Sequence, residues 1–148
     1  MMVQFRLAVR DDVPEVVTLL KDDVLGQGRE SGDMKPYLTA FEDMQAQGGN
    51  HLIVGVLGDR IVACYQLIVI PGISSSASRR AQIEGVRVVS DQRNRGIGAR
   101  LIADAEERAR AAGCAMIQLT TNQQRSDAKR FYDRAGFTPS HIGYKKPL

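Results

Sequence analysis

Tryptophan is absent from this 148-residue chain, aromatic residues make up only 5% of it, and cysteine and histidine occur twice each. Cys64 and Cys114 both sit in apolar, strand-like segments and read as buried free thiols; neither lies in a motif that supports a disulfide or a nucleophile. His51 and His141 leave a metal site short of a third ligand, so no metal is expected; both read as ordinary histidines, with His141 a lesser candidate for an acceptor pocket. No stretch approaches the roughly 18 apolar residues of a membrane span, and the start of the chain has no basic-then-apolar leader pattern. The expectation is a cytoplasmic protein. Blocks of like charge are missing too. The formal net charge is +3 and the pI about 9.1, but Lys and Arg are scattered, and without an aromatic or basic stripe a nucleic-acid face is not expected. A basic pocket for one polyanionic cofactor fits the same charge. Internal repeats, heptads and long linkers are also absent, so residues 1–148 read as one domain with a sizeable core.

The chain does contain alternating strand-like and helical patterns. Val3–Val9 alternates as a strand. Asp11 and Asp12 are candidate caps for the helix that follows, with Pro14 in its first turn and Val13, Val16, Val17 and Leu20 at helical spacing. Residues 26–32, rich in glycine, should break that helix. Met34–Gln47 reads as a second helix with Leu38, Phe41 and Met44 on one face. His51–Leu57 and Ile61–Ile70 flank the turn Gly58-Asp59-Arg60 as a hairpin, and Pro71–Ser78 reads as a flexible loop. Ala81–Val89 is the next strand. A helix runs from the glycines at 96 and 98 to Gly113, with Ile97, Leu101, Ile102, Ala105, Ala109 and Ala112 on one face. Cys114–Thr121 reads as a strand and Asp127–Ala135 as a helix carrying Ala128, Phe131, Tyr132 and Ala135 on one stripe. Phe137 should open a short strand and Ser140–Lys146 form the last one.

The segment Gln92-Arg93-Asn94-Arg95-Gly96-Ile97-Gly98-Ala99 joins an apolar strand to a long amphipathic helix. Its glycines let the backbone turn tightly and approach a ligand. Free N–H groups of the first helical turn, the helix dipole and the two arginines then make a site for a phosphate or pyrophosphate. A nucleotide P-loop would need Lys and then Ser or Thr after the second glycine, where this chain has Ala99-Arg100. A dinucleotide fingerprint would need a small residue at position 101, where it has Leu.

Arg93, Gly96 and Gly98, preceded by Val86 and Val88, resemble the acetyl-CoA loop of the GNAT acyltransferase superfamily. A second block, Ala128, Phe131-Tyr132 and Gly136-Phe137, resembles that family's other signature, and the order of elements agrees along the whole chain. Leu119-Thr-Thr-Asn122, the Arg125–Tyr132 block, Ser140-His141 and Lys145 are similar to a bacterial subgroup that includes aminoalkylphosphonate acetyltransferases, without fixing the substrate.

The resemblance implies an α/β (α+β) fold with a mixed, mostly antiparallel central sheet, helices on both faces, and two splayed strands, Ala81–Val89 and Cys114–Thr121. The pantetheine arm of acetyl-CoA would run against Val86 and Val88, with Gly85 a candidate bulge where the strands diverge. The pyrophosphate would bind N–H groups from Arg95 through Gly96, Ile97, Gly98 and Ala99, with charge from Arg93 and Arg95. Asn122 is a candidate pantetheine partner, although the family's usual Asn position holds Arg125, which instead is a candidate to brace the cleft or touch cofactor or acceptor. The Val88 N–H would steady the oxyanion. Tyr132 is the candidate general acid and Glu84 the candidate base, a water chain being the alternative. The implied activity is acetyl transfer to a primary amine of a small molecule in a ternary complex; a non-catalytic acyl-CoA sensor is the second reading. Acceptor determinants are expected in residues 25–35, the 71–80 loop and near the C-terminus, and a homodimer is possible.

Overall fold

The computed structural model describes every residue except Asp23 and Ser31, and the side chains of residues 24–26 also lie outside the described set. Five strands form one sheet in the order β1 (Gln4–Leu7), β2 (Asn50–Leu57), β3 (Arg60–Ile70), β4 (Arg80–Val88) and β5 (Met116–Gln118). The first three junctions are antiparallel and the β4–β5 junction is parallel. The helices are α1 (Val13–Lys21), α2 (Val24–Arg29), α3 (Lys35–Gln47), the one-turn α4 (Ser74–Ala77), α5 (Ile97–Ala111) and α6 (Ser126–Arg134).

Strand alternation divides the apolar residues between two faces. Ile53, Tyr65, Leu67, Ala81 and Ile83 pack with Ile97, Leu101, Ile102, Ala105 and Ala109 of α5. On the other face Val54, Ile61 and Cys64 pack with Val13, Val16 and Val17 of α1 and Phe41 of α3. The expected stripes of α1 and α5 are therefore largely the ones that bury, whereas only Phe41 of the α3 stripe is buried and the α6 stripe is half-buried. The mixed sheet with helices on both faces is the expected fold. The β2–β3 hairpin turns at Gly58, whose φ of 64° suits glycine.

Glycine 85 is the expected bulge. Cys64 lies opposite Arg87 and Gln66 opposite Glu84, so Tyr65 alone faces both Gly85 and Val86. Gly85 has φ 60°, the left-handed conformation such a bulge requires. Tyr65 is fully buried, and its hydroxyl donates to Asp104 Oδ2 at 2.6 Å while Arg108 Nε donates to the same oxygen at 2.8 Å. Burial and that carboxylate push the Tyr65 phenol well above its usual range. A side chain of β3, locked by Asp104 of α5, thus backs the bulge from behind.

Three local expectations are corrected. The strand predicted over Cys114–Thr121 is only Met116–Gln118, because the sheet parts after Gln118. The strands predicted at Phe137 and over Ser140–Lys146 do not form. A strand exists only by pairing, and this segment passes Thr120 (a Cβ on Gly143 would lie 4.0 Å from its Cγ2) with Ile142 and Tyr144 exposed. Where residues 26–32 were to break the first helix, α1 already stops at Lys21 and α2 spans Gly26 and Gly28; Ser31 of that stretch lies outside the described residues. The expected loop at 71–78 stands: the short α4 within it has left-handed φ of 54°, 60° and 57° at Ser75, Ser76 and Ala77, so it is a turn and not a right-handed helix.

Asp12 precedes α1 as expected but does not cap it with its side chain. Its carboxylate reaches backward, accepting from the Val9 N–H at 2.7 Å and from both Arg6 guanidinium nitrogens at 2.7 and 3.1 Å. Hydrogen bonding to Arg6 holds the Asp12 carboxyl below the usual carboxylate range, against the opposing effect of burial. A depressed folded-state pKa contributes stability that is present above the unfolded pKa, near 4, and is lost as pH falls through the folded value. Asp12→Asn should therefore cost about 1–2 kcal/mol at pH 7 and should flatten the decline of melting temperature in acid. Thermal melts from pH 7 to pH 3 check this; parallel curves for the two proteins would refute it.

Candidate functional site

The β4–β5 pairing consists of three rungs, Arg80–Met116, Ala81–Ile117 and Gln82–Gln118. Gln118 Nε2 donates to Gln82 Oε1 at 2.8 Å across the last rung. Beyond it β4 continues against β3 to Val88, while residues 119–124 are irregular. The splayed pair is therefore present, and from Ile83 onward one edge of β4 has no strand beside it. The Val89 N–H donates to Val62 on the β3 side at 2.8 Å. Successive residues alternate their backbone groups between the two edges, so the N–H and C=O of Val88 face the open slot. Arg93 Nε donates to the Val88 carbonyl at 3.2 Å and Arg87 Nη1 to the Val86 carbonyl at 2.9 Å. A carbonyl accepts two hydrogen bonds, so each keeps a lone pair for another donor.

At the slot's end, Asn94 and Gly96 adopt φ of 64° and 79°, and Gly96 is the N-cap of α5. The N–H groups of Ile97, Gly98 and Ala99 belong to the first helical turn and have no helical acceptor. The two glycines have different reasons to be glycine. A Cβ on Gly96 meets nothing within 4 Å, so its need is conformational, whereas a Cβ on Gly98 would sit 2.9 Å from Phe131 Cε1. Gly98 lets the aromatic block of α6 lie against the loop, joining the two sequence signatures in space. Arg95 is exposed. Arg93 is more constrained than expected: besides Val88, its Nη2 donates to the Asp22 carbonyl at 3.2 Å, and Asp22 Oδ2 accepts the Ser90 N–H at 3.0 Å. Asp22 at the end of α1 thus anchors the loop, a role its position in sequence does not signal.

Tyr132 is half-buried and meets Phe131 and Phe137 edge-on at centroid distances of 5.1 and 5.7 Å. Burial raises its pKa, and the charges of Arg87 and Arg125 partly oppose the rise. The phenol therefore stays protonated through neutral pH, with two guanidinium groups in its vicinity. Glu84 is exposed and lies opposite Gln66. Since Ile83 faces α5, Glu84 faces the side of α1 and α3, whereas Val86 and Val88 pack toward α5 after the bulge. Asn122 is exposed and its Oδ1 accepts the Gln124 N–H at 2.9 Å. Its carbonyl thus serves a turn, leaving the amide nitrogen for other partners. Arg125 precedes α6, its N–H bonded to the Asn122 carbonyl at 3.0 Å.

Cys64 is buried, its Sγ donating to the Gly85 carbonyl at 3.5 Å, and desolvation pushes its thiol up to about 12. Cys114 is half-buried rather than buried; both thiols are free. His51 and His141 are exposed, with Ser140 Oγ 2.7 Å from His141 Nδ1. Among the described residues, no group of His, Cys, Asp or Glu could hold a metal ion. No described helix is long and apolar enough to cross a membrane. Of the segments expected to shape an acceptor site, residues 25 and 26 lie outside the described side chains and Ser31 outside the described residues.

The profile of the acetyltransferase (GNAT) family matches residues 16–137. The chain is 43% identical over 67 residues to the aminoalkylphosphonate N-acetyltransferase of Salmonella typhimurium. That match spans 45% of this chain and 44% of the relative, so the chain covers less than half of its length. Among solved structures, a transcriptional regulator from Bacillus halodurans superposes with a TM-score of 0.94 at 42% identity, covering 99% of both chains. An acetyltransferase-like protein from Agrobacterium tumefaciens superposes with a TM-score of 0.87 at 26% identity, covering 98% of this chain and 99% of the other.

Proposed function

Because the chain belongs to the GNAT acetyltransferase family, we propose that it moves an acetyl group from acetyl-CoA to a primary amine of a small molecule, by direct attack in a ternary complex. The observation that carries this reading is the open edge of β4 leading into the unpaired amide groups of α5. Such an edge suits an arm with its own amides, and such amides suit a diphosphate. The residues fit acetyl-CoA: the Val86 and Val88 backbone would hold the pantetheine, and residues 95–99 the pyrophosphate, with Arg93 and Arg95 adding charge. Asn122 Nδ2 and Arg125, in the segment that follows β5, would add contacts to the pantetheine or the acceptor. When bound, acetyl-CoA supplies an activated thioester.

The chain's own groups supply the rest. The Val88 N–H, held toward the slot by the strand geometry, donates to the carbonyl oxygen as it gains charge. Tyr132 Oη carries the proton for the departing sulfur, kept there by burial. Glu84, open to solvent, takes the amine's proton and passes it to water. The balance is an ammonium plus acetyl-CoA giving an N-acetyl amide, CoA thiol and one proton. Incubation with acetyl-CoA and a panel of primary amines should release thiol only when an acceptor is present. Tight CoA binding without acceptor-dependent release would overturn the enzymatic reading.

A further inference from the structure

The chain carries five lysines against fifteen arginines, and two of the five, Lys145 and Lys146, adjoin in the segment after α6. The other three are held on helices: Lys21 closes α1, Lys35 opens α3, and Lys129 of α6 pairs with Asp133 at 2.9 Å. Lys145 and Lys146 are exposed on a stretch that is neither helix nor strand. From His141 onward no backbone group hydrogen-bonds another among the described residues. Lysine is the side chain that carries a primary amine, the group that the proposed reaction acetylates, so the course of this tail past the slot matters.

Two contacts define that course. At the root of the tail the Phe137 ring meets the candidate acid Tyr132 edge-on at 5.7 Å, and the Phe137 N–H donates to the Tyr132 carbonyl at 3.1 Å. Further on, a Cβ on Gly143 would lie 4.0 Å from Thr120 Cγ2. Thr120 is two residues past the last β4–β5 rung, Gln82–Gln118, and so stands level with Glu84, two residues past Gln82. The tail thus starts beside the candidate acid and passes the level of the candidate base, where the two strands part. Lys145 lies two residues beyond Gly143, at most about 7 Å of chain, and its four-carbon stem adds about 6 Å. That reach covers the two strand spacings, about 10 Å, between a tail beside β5 and the groups of β4.

We propose that the tail is itself an acceptor, and that the chain acetylates its own Lys145 and Lys146. The assignment rests on the transferase reading. Glu84 takes a proton from the lysine ammonium, the amine nitrogen bonds to the thioester carbonyl carbon, the carbon–sulfur bond breaks, and Tyr132 protonates the sulfur. An ammonium and acetyl-CoA give Nε-acetyl-lysine, CoA thiol and one proton. Each event removes one positive charge from the tail. With two lysines it ends as a burst, and sustained thiol release still needs an added amine.

The test incubates native protein with acetyl-CoA and no added amine, then maps acetyl groups by peptide mass spectrometry. Lys145 and Lys146 should be acetylated about 100-fold faster than the same residues in guanidinium-unfolded chain, as expected of an amine held near the thioester. Lys21, Lys35 and Lys129 should lag by a similar factor in the same molecules. Excess desulfo-CoA should suppress the labelling, and its first-order rate constant should not change with protein concentration. The double variant Lys145→Arg, Lys146→Arg should lose the burst while melting temperature and CoA affinity hold. Equal labelling of all five lysines, or labelling indifferent to desulfo-CoA, overturns the proposal in favour of uncatalysed acetylation. A rate constant that rises with protein concentration overturns transfer within one chain. An unlabelled tail in a protein that releases thiol with the amine panel overturns the tail assignment alone. Neither self-labelling nor release with any amine overturns the transferase reading as well.

Discussion

Tyr132→Phe is expected to lower kcat by about 10²- to 10⁴-fold while CoA affinity and melting temperature hold. Its ring is fixed by Phe131 and Phe137, and phenylalanine keeps both edge contacts. The hydroxyl has no hydrogen-bond partner among the described residues, so its removal orphans no neighbour. Only the proton is lost. Because burial raises the phenol's pKa, the native enzyme should hold its acid form through neutral pH and lose activity only well into the alkaline range. The variant should lack that alkaline limb. Pre-steady-state thiol release and CoA calorimetry separate the two effects. Full turnover in the variant would remove Tyr132 from the chemistry and would fit a module that binds acyl-CoA without transferring it.

Gly96→Asp should weaken CoA binding by about 100-fold with a fold that still melts cooperatively. The left-handed conformation at Gly96 disfavours most side chains, but aspartate is among those that tolerate it, and a Cβ there meets nothing within 4 Å. The added carboxylate lies beside the very N–H groups that would receive the pyrophosphate, satisfying them and repelling the ligand. Calorimetry with CoA, paired with thermal melts, reads both quantities. Unchanged affinity in a folded variant would place the diphosphate elsewhere.

The sequence made the scaffold legible wherever apolar periodicity was strong. The α5 stripe from Ile97 to Ala109 and the alternation of β2 through β4 bury as their spacing predicts. It was least legible where pairing depends on partners distant in the chain. Alternation over Cys114–Thr121 cannot reveal that only three residues find a neighbour, nor can the pattern Ile142, Tyr144 reveal that none do. Within the candidate site, the glycine loop and the Phe131-Tyr132 block were readable as motifs. Their mutual contact was not, because it depends on the missing Cβ of Gly98 meeting a ring 33 residues later. Asp22 as the loop's anchor gave no local signal.

The extra residue at position 85 also acts as a switch of handedness for everything that follows it. Ahead of it, odd-numbered side chains look toward α5; after it, even-numbered ones do. Excising that single glycine would restore strict alternation and turn the strand's last third over, sending Val86 and Val88 to the side of α1 and Arg87 into the apolar layer under α5. The floor of the slot is thus written in a one-residue insertion, and a shortened strand would present its charges and its valines the wrong way round.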